Sequence, residues 1–143
     1  MNLKYLNLRA VWLVAVLSIT VLGGCKKMEL RKKEKDLSRT WVISEAYLNG
    51  GDVTTQYTGW AYTFTEAGKV DVSWPYPLDS VSLTGDWEFM YNNTYVRMDL
   101  TGTLNGSPYD ESIYWKFLRL SDKQLWVGYL KNQDEYEFRF VKP

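Results

Sequence analysis

The chain has no histidine, a single cysteine and, in 143 residues, only 4 prolines. Without histidine there is no Ser-His or Cys-His couple and no imidazole metal site, and one cysteine builds neither an intrachain disulfide nor a thiolate zinc cluster. No EF-hand spacing, glycine-rich phosphate loop or nucleophile elbow occurs either. These absences remove most of catalysis, and the expectation is a non-enzyme with no cofactor and no metal. Net charge is lacking too, since 17 Lys plus Arg balance 17 Asp plus Glu. What is plentiful is aromatic: 16% of the residues, with 7 Trp and 11 Tyr against 10 Gly. In a chain of one-domain length, that composition favours packed strands over disorder.

The first segment reads as an address. Lys4 and Arg9 lie in a start without acids, and residues 10–22 form an uncharged run of 13. A helix that crosses the hydrocarbon core needs about 20 apolar residues, so this run stops short and has the layout of an export signal. It ends in Leu22-Gly23-Gly24-Cys25, which resembles the lipobox of bacterial lipoproteins. That resemblance implies cleavage of residues 1–24, lipidation of Cys25 with chains such as palmitate, and a protein tethered to the membrane. Each buried CH₂ adds roughly 0.8 kcal/mol to such an anchor. An ordinary buried thiol is the plain alternative. In the resembling bacteria an acid-rich stretch after the lipidated cysteine accompanies surface display; Lys26-Lys27 stand here instead, which implies the periplasmic side of the outer membrane.

Cleavage would leave 15 basic and 17 acidic residues. Residues 26–36 hold six bases and three acids, so the remainder, 37–143, is acidic with nine bases and 14 acids. Residues 25–36 therefore read as a lipidated cysteine with a basic linker, and 37–143 as the folded domain. An exported, acidic domain is not expected to bind nucleic acid.

From Leu37 onward no stretch sustains helical spacing, while short alternating segments recur between turn residues. Residues 41–48 are the first. Residues 59–65 put Trp60, Tyr62 and Phe64 on one face, Gly68 turns the chain, and 69–74 alternate Val70, Val72 and Trp74 before Pro75 and Pro77. Residues 83–91 carry Trp87, Phe89 and Tyr91 in phase; Asn92-Asn93 is the turn; 94–100 return with Val96, Met98 and Leu100. Residues 112–120 are apolar on both faces, with Ile113, Trp115 and Phe117 against Tyr114, Leu118 and Leu120, which leaves the inward face open. Residues 124–130 and 135–141 finish the series, the last alternating Tyr136, Phe138 and Phe140 with Glu137, Arg139 and Val141.

Hairpin following hairpin without long crossovers predicts an all-β, eight-stranded antiparallel up-and-down barrel, because closure hides both edges. The interior of such a barrel is either filled by side chains or holds one small ligand. The folded part resembles the small lipocalin-like lipoproteins of Bacteroidota-type bacteria. The matching features are Leu37 with Thr40-Trp41, Tyr62-Thr63-Phe64-Thr65 with Gly68-Lys69, Gly85-Asp86-Trp87, Leu118 and Leu120 before a turn with Leu125 after it, and Tyr136, Phe138 and Phe140. The resemblance implies a calycin barrel. It also implies that the first-strand tryptophan, Trp41, packs under a basic residue near the last strand, Arg139, to close the barrel floor. Two residues before Trp41, where lipocalins proper have glycine, this chain has Arg39.

Three groups of side chains are candidates for function. The acid pairs Asp110-Glu111 and Asp134-Glu135 could in principle work on protons or hold a hard cation, but strand neighbours point to opposite faces, which favours solvated loops. The inward rings Trp60, Tyr62, Phe64, Trp74, Trp87, Phe89, Trp115, Tyr129 and Phe138 either pack as a core or line a pocket for a small apolar ligand. Trp126, out of phase with Leu125 and Val127, is the candidate for an outward apolar patch if the protein is instead a solid accessory subunit of an envelope assembly.

Overall fold

The computed structural model describes residues 24–74, 81–104 and 106–143. The export-signal segment up to Gly23, the prolines at 75 and 77 and Asn105 lie outside the described residues. Helix α1 (residues 24–37) runs from one compact unit, Met1–Lys32, into a second, Lys33–Pro143. In the first unit Gly24 and Cys25 are helical and exposed, and the cysteine is free. The second unit starts four residues earlier than the sequence boundary at Leu37. Its helical residues are tied in because Ser38 N–H donates to Glu34 O at 2.8 Å and Leu37 is fully buried. Among the described residues no helix is long and apolar enough to cross a membrane.

The second unit is a closed antiparallel barrel. Strands β1 (Thr40–Leu48), β3 (Ala61–Phe64), β4 (Lys69–Trp74), β5 (Val81–Met90), β6 (Tyr95–Leu104), β7 (Ser107–Leu120), β8 (Gln124–Lys131) and β9 (Asp134–Val141) pair in chain order, and β9 pairs back onto β1. The two-residue β2 (Gly51–Asp52) only extends β1, so the ring has eight strands. The closing register runs from Val42↔Val141 to Leu48↔Tyr136. Trp41's strand therefore lies beside Phe138's, as the meander requires.

Two irregularities set which side chains face in. On β1 the register shifts between Ile43 and Glu45, so Trp41, Ile43 and then Ala46 are buried while Glu45 is kept on the outer wall. On β7 the shift falls between Phe117 and Arg119. Ile113, Trp115 and Phe117 thus face in, Tyr114 and Leu118 face out, and Leu120 returns to pack on the core. One extra residue inverts the alternation beyond it, which explains why the sequence of β7 is apolar on both faces. β7 also begins at Ser107, five residues before the expected start, because Ser107–Glu111 pair with Leu104–Leu100 of β6.

Gly85 sits where β5 and β6 approach each other very closely. A Cβ there would lie 1.8 Å from the Asp99 carbonyl oxygen of β6, so only glycine permits the two strands to approach this closely. At the β5–β6 turn Tyr91, Asn92 and Asn93 all have positive φ, 50°, 54° and 63°. The asparagines were expected there; the tyrosine, which tolerates this region poorly, was not.

The barrel has a closed and an open end. At the closed end Trp41 is fully buried and its indole N–H donates to Leu37 O at 3.0 Å. Trp87 donates likewise to Thr65 O at 3.0 Å. Between them Phe64, Trp87 and Phe89 meet edge-on with centroid separations of 5.9 and 5.2 Å, and Phe117 lies tilted against Phe89 at 5.8 Å. This half is solid.

Candidate functional site

The other half is a cup. A cavity of about 430 Å³ is lined by Trp60 and Tyr62 of the β3 segment, Leu83 and Leu100, Tyr109, Ile113 and Trp115 of β7, Tyr129 of β8, and Tyr136 and Phe138 of β9. Tyr57 from the short helix α2 (Thr54–Tyr57) and Leu104, Lys131, Asn132 and Asp134 form its rim. The volume is within the range of small-molecule sites.

The inward rings divide between core and cup. Trp60, Tyr62, Trp115, Tyr129 and Phe138 line the cavity. Phe64, Trp87 and Phe89 do not: strand direction carries them to the closed half, where they fill space. Trp74 is also off the lining and stacks on Trp60 at 5.2 Å, 19° from parallel. Trp115 and Tyr62, 4.7 Å apart, are the plate between the halves, since Trp115 also meets Phe140 at 5.3 Å below and Phe138 at 6.4 Å beside it.

Several lining residues went unmarked in the sequence. Tyr136 shares the phase of Phe138 and could have been found from it. Leu83, Leu100, Tyr109 and Ile113 needed the barrel's three-dimensional taper, and α2 is too short to show a helical period. It is held across the mouth because Thr54 N–H donates to Asp52 Oδ1 (2.8 Å) and Ala46 N–H to Thr54 Oγ1 (3.0 Å), which brings Tyr57 edge-on to Phe138 at 5.0 Å.

The polar atoms of the cup are mostly phenols. The Tyr109 hydroxyl donates to Glu111 Oε2 at 3.0 Å, and Lys131 pairs with the same carboxylate at 3.1 Å. Lys131's hydrogen bond holds Glu111 below the usual carboxylate range, and Glu111 in return raises Lys131. Glu111 is thereby committed to structure. Asp134 accepts from Asn49 Nδ2 at 2.9 Å, stitching the mouth across the β1–β9 seam, and among the described residues no acidic cluster could hold a metal ion. The hydroxyls of Tyr57, Tyr62, Tyr129 and Tyr136 have no hydrogen-bond partner among the described residues. Burial pushes the phenols of Tyr62 and Tyr109 well above the ordinary tyrosine value, and those of Tyr57 and Tyr129 upward as well. Neutral at physiological pH, they can offer protons to acceptors on a guest.

Because the folded state holds the Tyr62 proton more tightly than the unfolded chain, whose value is near 10.0, Tyr62 leaves stability untouched below that pH and lowers it progressively above. Urea titrations across pH 9 to 11 should show the midpoint falling above about pH 10, and less steeply in Tyr62→Phe. Parallel curves for the two proteins would contradict the burial of this phenol.

No family model, curated protein or solved structure matches the chain.

The expected Trp41–Arg139 pair is not formed. Arg139 alternates with the inward Phe138 and Phe140 and so stands on the outer wall, over Trp126 (4.4 Å) and Tyr47 (5.0 Å), with ion pairs to Glu45 (2.9 Å) and Glu137 (2.8 Å). It ties β1, β9 and β8 together across the closing seam, from outside. The cation over Trp41 is Arg39, 5.6 Å from the ring, which also donates to Asp122 O (2.6 Å) and Lys35 O (3.0 Å). Floor closure thus comes from Arg39, two residues before Trp41. Trp126 faces outward as its phase requires, but Arg119 at 5.2 Å and Arg139 cover it, so it offers no free apolar patch.

Proposed function

We propose that the protein is a lipid-anchored lipoprotein of the bacterial envelope, of the lipocalin-like kind, whose barrel binds a small apolar molecule. The observation that carries this reading is the half-hollow barrel: a cavity of about 430 Å³ walled by Leu83, Leu100, Ile113, Trp115 and Phe138. These five side chains offer water no hydrogen bonds beyond the Trp115 indole N–H, so the apolar body of a guest laid against them is favoured by burial of its surface, at about 25 cal/mol per Å². The phenols at the mouth suit a guest with one or more acceptor atoms at one end. A barrel serving only as a solid accessory subunit would have no need of the hollow.

Anchoring follows from the resemblance of Leu22-Gly23-Gly24-Cys25 to a lipobox, and Lys26-Lys27 support the periplasmic side of the outer membrane. Metabolic labelling with radioactive palmitate tests it: label should enter the wild-type chain and be lost in Cys25→Ser. Label retained in that variant refutes the anchor.

The cup is tested with an apolar fluorophore such as an anilinonaphthalene sulfonate. One molecule per chain should bind and accept energy from Trp60 and Trp115. Leu104→Trp, which places a ring at the rim, should weaken binding at least about tenfold, a loss of about 1.4 kcal/mol. Absence of stoichiometric binding in the wild-type chain would refute the ligand reading.

A further inference from the structure

We propose that the closed end of the barrel is a membrane-contact surface which rests on an anionic bilayer with Tyr91, Tyr95 and Tyr114 at headgroup level, so that the cup opens away from the membrane. Three observations converge on it. The first is an exposed aromatic patch. Tyr91 is 67% exposed and Tyr114 43%, and with Tyr95 they line a shallow hollow on the outer wall of β5–β7. Tyr91 meets Tyr95 edge-on at 5.4 Å. Tyr91 keeps φ at 50°, with Thr94 Oγ1 donating to its carbonyl oxygen at 2.6 Å. A backbone cost at a solvent-facing aromatic has no return in the core. Rings with an apolar body and a hydroxyl tip suit the water–lipid boundary.

Charge polarity is the second. Of the nine basic residues from Leu37 on, Arg39, Lys69, Lys116, Arg119, Lys123 and Lys142 lie at the closed end, against the acids Glu66, Asp86, Glu88 and Asp122, with Lys69 paired to Asp86, so this end keeps an excess of two cations. Lys116 stands directly opposite Tyr95; Lys116, Lys123 and Lys142 make no ion pair among the described residues. A further hollow there is lined by Lys35, Arg39 and Lys142 with Glu66. The described mouth carries Asp52, Asp110, Glu111, Asp134 and Glu135 against Lys131 alone. An anionic surface attracts cations at about 1 kcal/mol each and repels the acidic rim. Third, the chain enters the barrel at this same end: Lys33 Nζ reaches Asn93 O, in the turn that bears Tyr91, at 3.5 Å.

Occupancy of the cup and lipidation of Cys25 are not required for this contact, so its test is separate from theirs. Hydroxyl-radical footprinting of the full chain on phosphatidylcholine vesicles, with and without phosphatidylglycerol, reads each tyrosine individually. Tyr91 and Tyr114 should be oxidised at least about fivefold more slowly on the anionic vesicles, while Tyr57 and Tyr136 at the mouth change less than about twofold. The variant K116E/K123E/K142E, altered only at surface positions, should lose most of that protection. Equal oxidation of the two groups, protection of the mouth instead, or equal protection on neutral vesicles would overturn the proposal.

Discussion

Gly85→Ala is expected to cost more than about 4 kcal/mol, a large share of the roughly 5–15 kcal/mol that keeps a single domain folded. The added methyl would meet Asp99 O at 1.8 Å, the Asp99 carbonyl carbon at 2.8 Å and Leu100 Cα at 3.1 Å. All three are backbone atoms in a β-ladder where Gly85 faces Leu100, so no side chain can swing aside. Relief requires β5 and β6 to separate, which breaks the ladder in the middle of its register. The matched control is Gly128→Ala. There the nearest atoms are Leu118 methyls at 3.9 Å, and the change should stay within about 0.5 kcal/mol. Urea denaturation followed by circular dichroism separates the two. A Gly85→Ala protein with a wild-type midpoint would show that the close approach of β5 and β6 is wrong.

Trp115→Ala is the second large effect, about 3–5 kcal/mol. Its ring is 1% exposed and touches Tyr62, Phe64, Phe138 and Phe140. These neighbours belong to two strands, β3 and β9, held by the ladder and cannot collapse into the gap. With a typical urea slope, the midpoint should fall by roughly 2 M. Because Trp115 is also the base of the cup, the truncation joins the gap to the cavity, and the variant should accept bulkier apolar probes than the wild-type chain. A loss under about 1.5 kcal/mol would mean that the plate between the solid and hollow halves is loosely packed.

Much of the fold was legible because alternation is a local signal. Trp60, Tyr62 and Phe64 against Ala61, Thr63 and Thr65 can only be a half-buried strand, and the turn at Gly68, with φ of 76°, closes the first hairpin as its sequence implies. Bulges were not legible, since Ser44 and Leu118 differ in no obvious way from their neighbours; yet the shift at Leu118 decides that Leu120, not Arg119, is inside. Long-range pairs were legible only in kind. A cation over Trp41 was expected, but strand phase puts Arg139 on the outer wall, and it is the chain's entry past Leu37 that brings Arg39 over the ring.

The sequence by itself determined the number of strands, their antiparallel order and the supply of inward rings, because period-two patterning and turn chemistry act between near neighbours. Only the tertiary structure decided which rings fill and which enclose. A side chain's distance from the floor depends on strand tilt and bulges around the whole ring, and these sum over contacts far apart in the chain.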